Sequence, residues 1–232
     1  METAKAIEIE KKKLKAVIFD LDGVITDSAT YHYLAWKSLA AELGIPFDEQ
    51  YNEKLKGVSR MESLELILQN GNAASKYTIQ QKEALADKKN NLYKELIRQI
   101  SPADILPGIA AFLQELKANQ IKIALASVSK NAPFILHQLA LDTMFDYVAD
   151  AAAVPNAKPF PDIFLAGMQA FGLQPHNCIG VEDARTGIEA IHRAGMQAVG
   201  VGTPEEMEGA ELVTTTGELR LAMVLERLGM EL

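Results

Sequence analysis

The chain has 232 residues, of which 48% are apolar and 23% charged, and a net charge of −8. The acidic balance excludes the basic face that nucleic-acid binding needs, and no apolar run approaches the ~20 residues that span a bilayer. Cys178 is the only cysteine, so no internal disulfide forms and a reducing, cytoplasmic setting is expected.

Residues 1–13, METAKAIEIEKKK, are charged and lack an apolar signal core. They are expected to be a flexible, solvated tail, because three lysines are too few for a nucleic-acid patch. In KAVIFDLDGVITDS, the run Ala16–Phe19 predicts a buried strand that ends on Asp20 and Asp22, with Asp27 just beyond. From Ala29 to about Ile100 the pattern is helical throughout. Ser28 is expected to N-cap the first helix and Gly44 to end it. A second helix is expected near Asp48–Leu55. A third follows GVSRMES, where Ser59 and Glu62 have capping-box spacing. A long fourth is expected over Thr78–Arg98.

Beyond this stretch, strands and helices alternate. A helix is expected over Pro107–Asn119, with its proline in the first turn, then a strand over Ile121–Ala126 and a helix over Asn131–Ala140. A weak strand near Tyr147–Ala149 precedes a helix over Asp162–Phe171. Strand Cys178–Val181, helix Ala184–Ala194, strand Ala198–Val201 and a weak strand Leu212–Val213 complete the pattern. Alternation of this kind predicts an α/β class: a Rossmann-like parallel sheet covered on both faces. The expected division is an α/β core of residues 14–28 and 101–232, with residues 29–100 inserted as a helical cap.

Open parallel sheets bind ligands beyond the carboxyl ends of their strands. Four segments reach that rim: FDLDG with Asp20 and Asp22, LASVSKN with Ser127, Ser129, Lys130 and Asn131, AKPFPD with Lys158, and GVEDA with Glu182 and Asp183. Acids this close repel unless a cation lies against them. Hard carboxylate oxygens without histidine or cysteine companions suit magnesium. Plainer readings exist: Asp183 or Ser129 as helix caps, Lys158 as a solvated loop lysine.

The four segments, in this order, resemble the motifs of the haloacid dehalogenase superfamily, and the helical insertion is similar to that superfamily's small cap. Within it, FDLDGVITDS, HYLAWK, LKGVSR, ASVSKNAP and GVEDARTGI are similar to the phosphosugar mutases. Those usually carry threonine where this chain has Ser28, and alanine or serine where it has Val128. The resemblance implies Mg2+ held by Asp20, Asp183 and the backbone carbonyl of Asp22, with Glu182 orienting metal-bound water. It implies Asp20 as a nucleophile that forms an aspartyl phosphate and Asp22 as general acid and base. Ser127 would bond a phosphoryl oxygen, and Lys158 would offset its charge.

A second basic cluster, Lys56, Gly57, Val58, Ser59 and Arg60, lies on the cap and is expected to face Ser129, Lys130 and Asn131, forming a second phosphate clamp. His32 and Trp36 are further substrate-side candidates beside their plainer readings, His32 as a surface or core histidine and Trp36 as packing between the domains; the resemblance implies that His32 gates Asp22. Two phosphate sites suit a bisphosphate intermediate. The resemblance implies the reaction: interconversion of β-D-glucose 1-phosphate and D-glucose 6-phosphate through β-D-glucose 1,6-bisphosphate, in an expected monomer whose partner is a small phosphosugar. The alternatives are a magnesium-dependent sugar-phosphate phosphatase, which needs one phosphate site and a water, and an inactive sugar-phosphate sensor.

Overall fold

The structure, a computed structural model, describes residues 12–55 and 58–232. Its strands are β1 (Lys12–Lys13), β2 (Ala16–Phe19), β3 (Lys122–Leu125), β4 (Tyr147–Val148), β5 (Cys178–Glu182), β6 (Gln197–Val201), β7 (Leu212–Thr214) and β8 (Met230–Glu231). Its α-helices are α1 (Ala29–Glu42), α2 (Glu49–Asn52), α3 (Arg60–Asn70), α4 (Ile79–Leu96), α5 (Ile109–Ala118), α6 (Ala132–Gln138), α7 (Asp162–Ala170), α8 (Arg185–Arg193) and α9 (Leu221–Leu228).

Six strands form one parallel sheet in the order β4-β3-β2-β5-β6-β7. β2 lies inside it, and all four of its residues are buried. Strand side chains alternate between faces. Val17 and Phe19 pack with Phe112 of α5, Ile135 of α6 and Val224 of α9. Ala16 and Ile18 pack with Phe164 of α7 and Ile191 of α8. Burial on both faces is why these strands read as continuous apolar runs. The chain moves outward from β2 through β3 to β4, then returns to β5 on the other side of β2. The topological switch therefore falls beside β2, where a ligand crevice is expected.

Helices α1 to α4 form the insertion. Trp36, Leu39, Leu64, Ile67, Leu68 and Ala86 give it a core of its own. Tyr93 and Ile97 instead join the apolar cluster on one face of the sheet, so the end of α4 roots the insertion in the core. The capping box of Ser59 and Glu62 opens α3 as expected, and a second one, Thr78 with Gln81, opens α4.

Several local expectations are corrected. Pro107 does not open α5: Gly108, at φ +84°, turns the chain first and occupies the cap position. Ser28 precedes α1, but its hydroxyl makes no cap bond and donates to the Asp22 carboxylate instead. Asp183 does not cap α8; Ala184 holds that position without a side-chain cap. Lys12 and Lys13, expected in the tail, pair in parallel with Met230 and Glu231. The rest of the tail, like Lys56 and Gly57, lies outside the described residues.

Candidate active site

Asp20 is the first residue past β2, and its backbone N–H donates to Val181 O at 2.9 Å. The sheet itself thus fixes where this carboxylate starts. Lys158 Nζ donates to Asp20 Oδ1 at 2.5 Å and also to Glu182 Oε1. The Lys158 side chain is 1% exposed, so both ion pairs are dry. Burial pushes the Lys158 ammonium down, but Asp20 and Glu182 outweigh it and hold the group above its ordinary range. A buried cation needs partners of this kind.

Glu182 also accepts from the N–H groups of Asp183 at 2.8 Å and Ala184 at 2.9 Å. It therefore clamps both Lys158 and the turn that carries Asp183. Gly187 is required beneath it, because a Cβ there would overlap the Glu182 carboxylate. Gly23, at φ +73°, plays the matching part for Asp183, whose carboxylate fills the space that a Cβ at position 23 would take.

Carboxylate oxygens of Asp20, Glu182 and Asp183 lie within 4.8 Å of one another. The Asp22 carboxylate is not in that group, since it turns toward Ser28 Oγ. Burial pushes the Asp22 carboxyl up to about 7, with Asp20 adding to the rise and Ser28 and Lys158 opposing it. An acid near neutrality, one residue from a second acid, suits proton donation and acceptance.

Asp20, Asp22, Lys158, Glu182 and Asp183 floor a cavity of about 550 Å³. Ser127, Val128, Ser129, Lys130 and Asn131 line its core side; His32, Trp36, Val58 and Arg60 line it from the insertion. Every expected site residue except Lys56 and Gly57, which are not described, therefore lines one space. In the loop after β3, Ser127 Oγ accepts from Ser129 N–H at 3.1 Å, and Ser129 Oγ accepts from Asn131 N–H at 3.3 Å. Ser129 does brace the approach to α6, while still lining the cavity. Arg60 opens α3, with Nη1 3.7 Å from Asp87 Oδ1.

The sequence reading missed Lys89. It is 2% exposed, with Nζ 2.7 Å from His32 Nδ1 and 4.5 Å from the Trp36 ring centroid. Burial pushes its ammonium down to about 7, with Arg60 adding to the fall. Burial, then Lys89 and Arg60, hold His32 well below the usual imidazole range, so its ring is neutral and stacks on Tyr93. The available signal was a stripe of buried positions, Ala86, Lys89, Asn90, Tyr93, at helical spacing, in which lysine and asparagine interrupt an apolar face.

The chain matches the haloacid dehalogenase-like hydrolase family over residues 14–195. It belongs to that family. Among haloacid dehalogenase-like proteins it is 50% identical to the β-phosphoglucomutase of Bacillus subtilis over 214 residues, 92% of this chain and 95% of that one. It is 30% identical to the fructose-1-phosphate phosphatase YqaB of Escherichia coli over 190 residues, 82% of this chain and 97% of that one. A crystal structure of β-phosphoglucomutase from Clostridium difficile superimposes with a TM-score of 0.91 at 47% identity, covering 93% of this chain and 97% of that one. Among the described residues, no helix is long and apolar enough to cross a membrane.

Proposed function

We propose that this chain is a β-phosphoglucomutase, a phosphomutase that interconverts β-D-glucose 1-phosphate and D-glucose 6-phosphate. The observation that carries the reading is its 50% identity to the Bacillus subtilis enzyme over nearly the full length of both. The site supports it: Asp20 and Asp22 floor a cavity bordered by Arg60 on one wall and the Ser127–Asn131 loop on another. A phosphatase requires only the floor; a mutase also requires a grip on the phosphate that is not reacting.

The residues present fit a divalent metal. The donors are all oxygen, three carboxylates converge, and glycine at position 23 makes room for one of them. Asp20 and Asp183 would hold Mg2+, with the Asp22 carbonyl beside them and Glu182 behind. When bound, the ion offsets the repulsion between a carboxylate and a phosphate.

The chain's own residues do the rest. Phosphorylated Asp20 passes its phosphoryl group to the 6-oxygen of β-D-glucose 1-phosphate while Asp22 takes the hydroxyl proton. The β-D-glucose 1,6-bisphosphate turns round. Asp20 then attacks the 1-phosphoryl group, the bond to the sugar oxygen breaks, and Asp22 returns the proton to that oxygen. Arg60, Ser129, Lys130 and Asn131 hold the distal phosphate throughout. Ser127 bonds the moving phosphoryl oxygens and Lys158 offsets their charge. His32 and Trp36, on the insertion side, close over the sugar. The proposal includes a monomer, since one chain supplies the whole site, and a cytoplasmic setting, where phosphosugars are metabolised.

A coupled assay tests this. β-D-Glucose 1-phosphate with catalytic bisphosphate should yield glucose 6-phosphate, read as NADPH through glucose 6-phosphate dehydrogenase. Release of inorganic phosphate without glucose 6-phosphate would favour the phosphatase.

A further inference from the structure

The insertion touches the core through two residues one turn apart on α4, and one of them reaches the phosphate loop. Asn90 Oδ1 accepts from Asn131 Nδ2 at 3.0 Å, and both side chains belong to buried residues. The Tyr93 hydroxyl, one turn on, lies 3.2 Å from Ser28 Oγ of the core. Asn131 sits at the cap position of α6, yet its side chain does not cap that helix. Asn131 lines the cavity and Asn90 stands behind it.

We propose that Asn90 is a positioning residue for the distal phosphate, acting through Asn131. Resting on the mutase reading above, the argument runs from hydrogen-bond chemistry. A carboxamide has a donor end and an acceptor end of nearly equal shape. Phosphate oxygens accept hydrogen bonds, so an Asn131 carboxamide flipped to present its oxygen would repel them. In the bonded pair Asn90 Oδ1 takes one Asn131 Nδ2 hydrogen, which holds the Asn131 carboxamide in one orientation and leaves its second Nδ2 hydrogen for the phosphate. That acceptor arrives on α4, from the insertion, whereas Asn131 belongs to the core. The core loop is thus fully set for a phosphate only while α4 lies against it. Seating of the insertion and completion of the phosphate grip become one event, which favours a substrate that fills both sides of the cavity.

The test is a double-mutant cycle on glucose 6-phosphate affinity, read by titration calorimetry on the magnesium-loaded full chain. Asn90→Leu removes the acceptor at similar volume and should weaken binding about three- to tenfold. Asn131→Ala should weaken it as well. The double variant should be no weaker than Asn131→Ala alone, because Asn90 acts only through Asn131. Additive losses, or an Asn90→Leu variant that binds like wild type, would overturn the assignment. Should leucine prevent folding, Asn90→Ala enters the same cycle with the same expected outcomes, and thermal midpoints confirm that the compared proteins are folded. A wild type that only hydrolyses its substrate, yet shows the coupled cycle, overturns the mutase reading and leaves the Asn90 assignment standing.

Discussion

Lys158 and Asp20 meet as a dry ion pair 2.5 Å apart, although 138 positions separate them in the chain. The sheet delivers Asp20 from just past the end of β2 and Glu182 from the last position of β5, where it holds Lys158 from its other side. One cation therefore bridges two acids, and losing either acid leaves it paired with the other.

That arrangement predicts the fate of Asp20→Asn. The fold should survive, because Lys158 keeps Glu182, while phosphoryl transfer should vanish with the nucleophile. Intact-mass detection of an acyl phosphate after incubation with acetyl phosphate checks this. Phosphoenzyme in the variant would show that Asp20 is not the acceptor.

Metal dependence is expected to follow from the three converging carboxylates. Exhaustive chelation should abolish turnover, and magnesium should restore it. Asp183→Ala should raise the magnesium concentration for half-activation by about tenfold or more, in line with loss of one charged ligand. Full activity after chelation would remove the metal from the account.

Lys89 should cost stability in a pH-dependent way. Its folded pKa is lowered to about 7, from 10.5 in the unfolded chain, by burial first and Arg60 second. Between those values the unfolded state binds the extra proton, so stability rises with pH across that window; the full penalty is present below pH 7 and has gone above 10.5. Lys89→Met should therefore raise the thermal midpoint by roughly 3–6 °C near pH 6 and by much less near pH 10, while impairing turnover. A gain independent of pH would mean that the lysine is not desolvated in solution.

Much of this could be read from the chain because its cause is local. A four-residue apolar run that ends on two acids marks β2 and its carboxyl end, and the Ser59–Glu62 spacing marks the start of α3. What escaped was non-local. Lys89 reads as an exposed helix lysine until Trp36, His32 and Tyr93 close around it. Lys12 and Lys13 read as tail because their strand partners, Met230 and Glu231, lie at the other end of the sequence. Ser28 reads as a helix cap until Asp22 claims its hydroxyl. For the lysines a contact distant in sequence, and for Ser28 the neighbouring Asp22 carboxylate, overrode a sound local preference.

Arg60 separates mutase from phosphatase chemistry. It sits on the insertion, away from the acids on the cavity floor, and a charge-assisted grip on phosphate is worth about 1.5–3 kcal/mol, or about 10- to 150-fold. Arg60→Ala should lower the ratio of glucose 6-phosphate formed to inorganic phosphate released by about that factor. Water still reaches phosphorylated Asp20, but the sugar is no longer captured in competition with it. A parallel fall in both products, or no change in either, would return Arg60 to the role of a solvated residue at a helix start.

The most direct measurement of the central claim is phosphorus NMR of the protein with β-D-glucose 1-phosphate, magnesium and a trace of β-D-glucose 1,6-bisphosphate. The account predicts that the sugar 1-phosphate signal is replaced by that of glucose 6-phosphate, the bisphosphate level stays steady and little inorganic phosphate appears. Growth of the inorganic phosphate signal alone, with no glucose 6-phosphate, would contradict it.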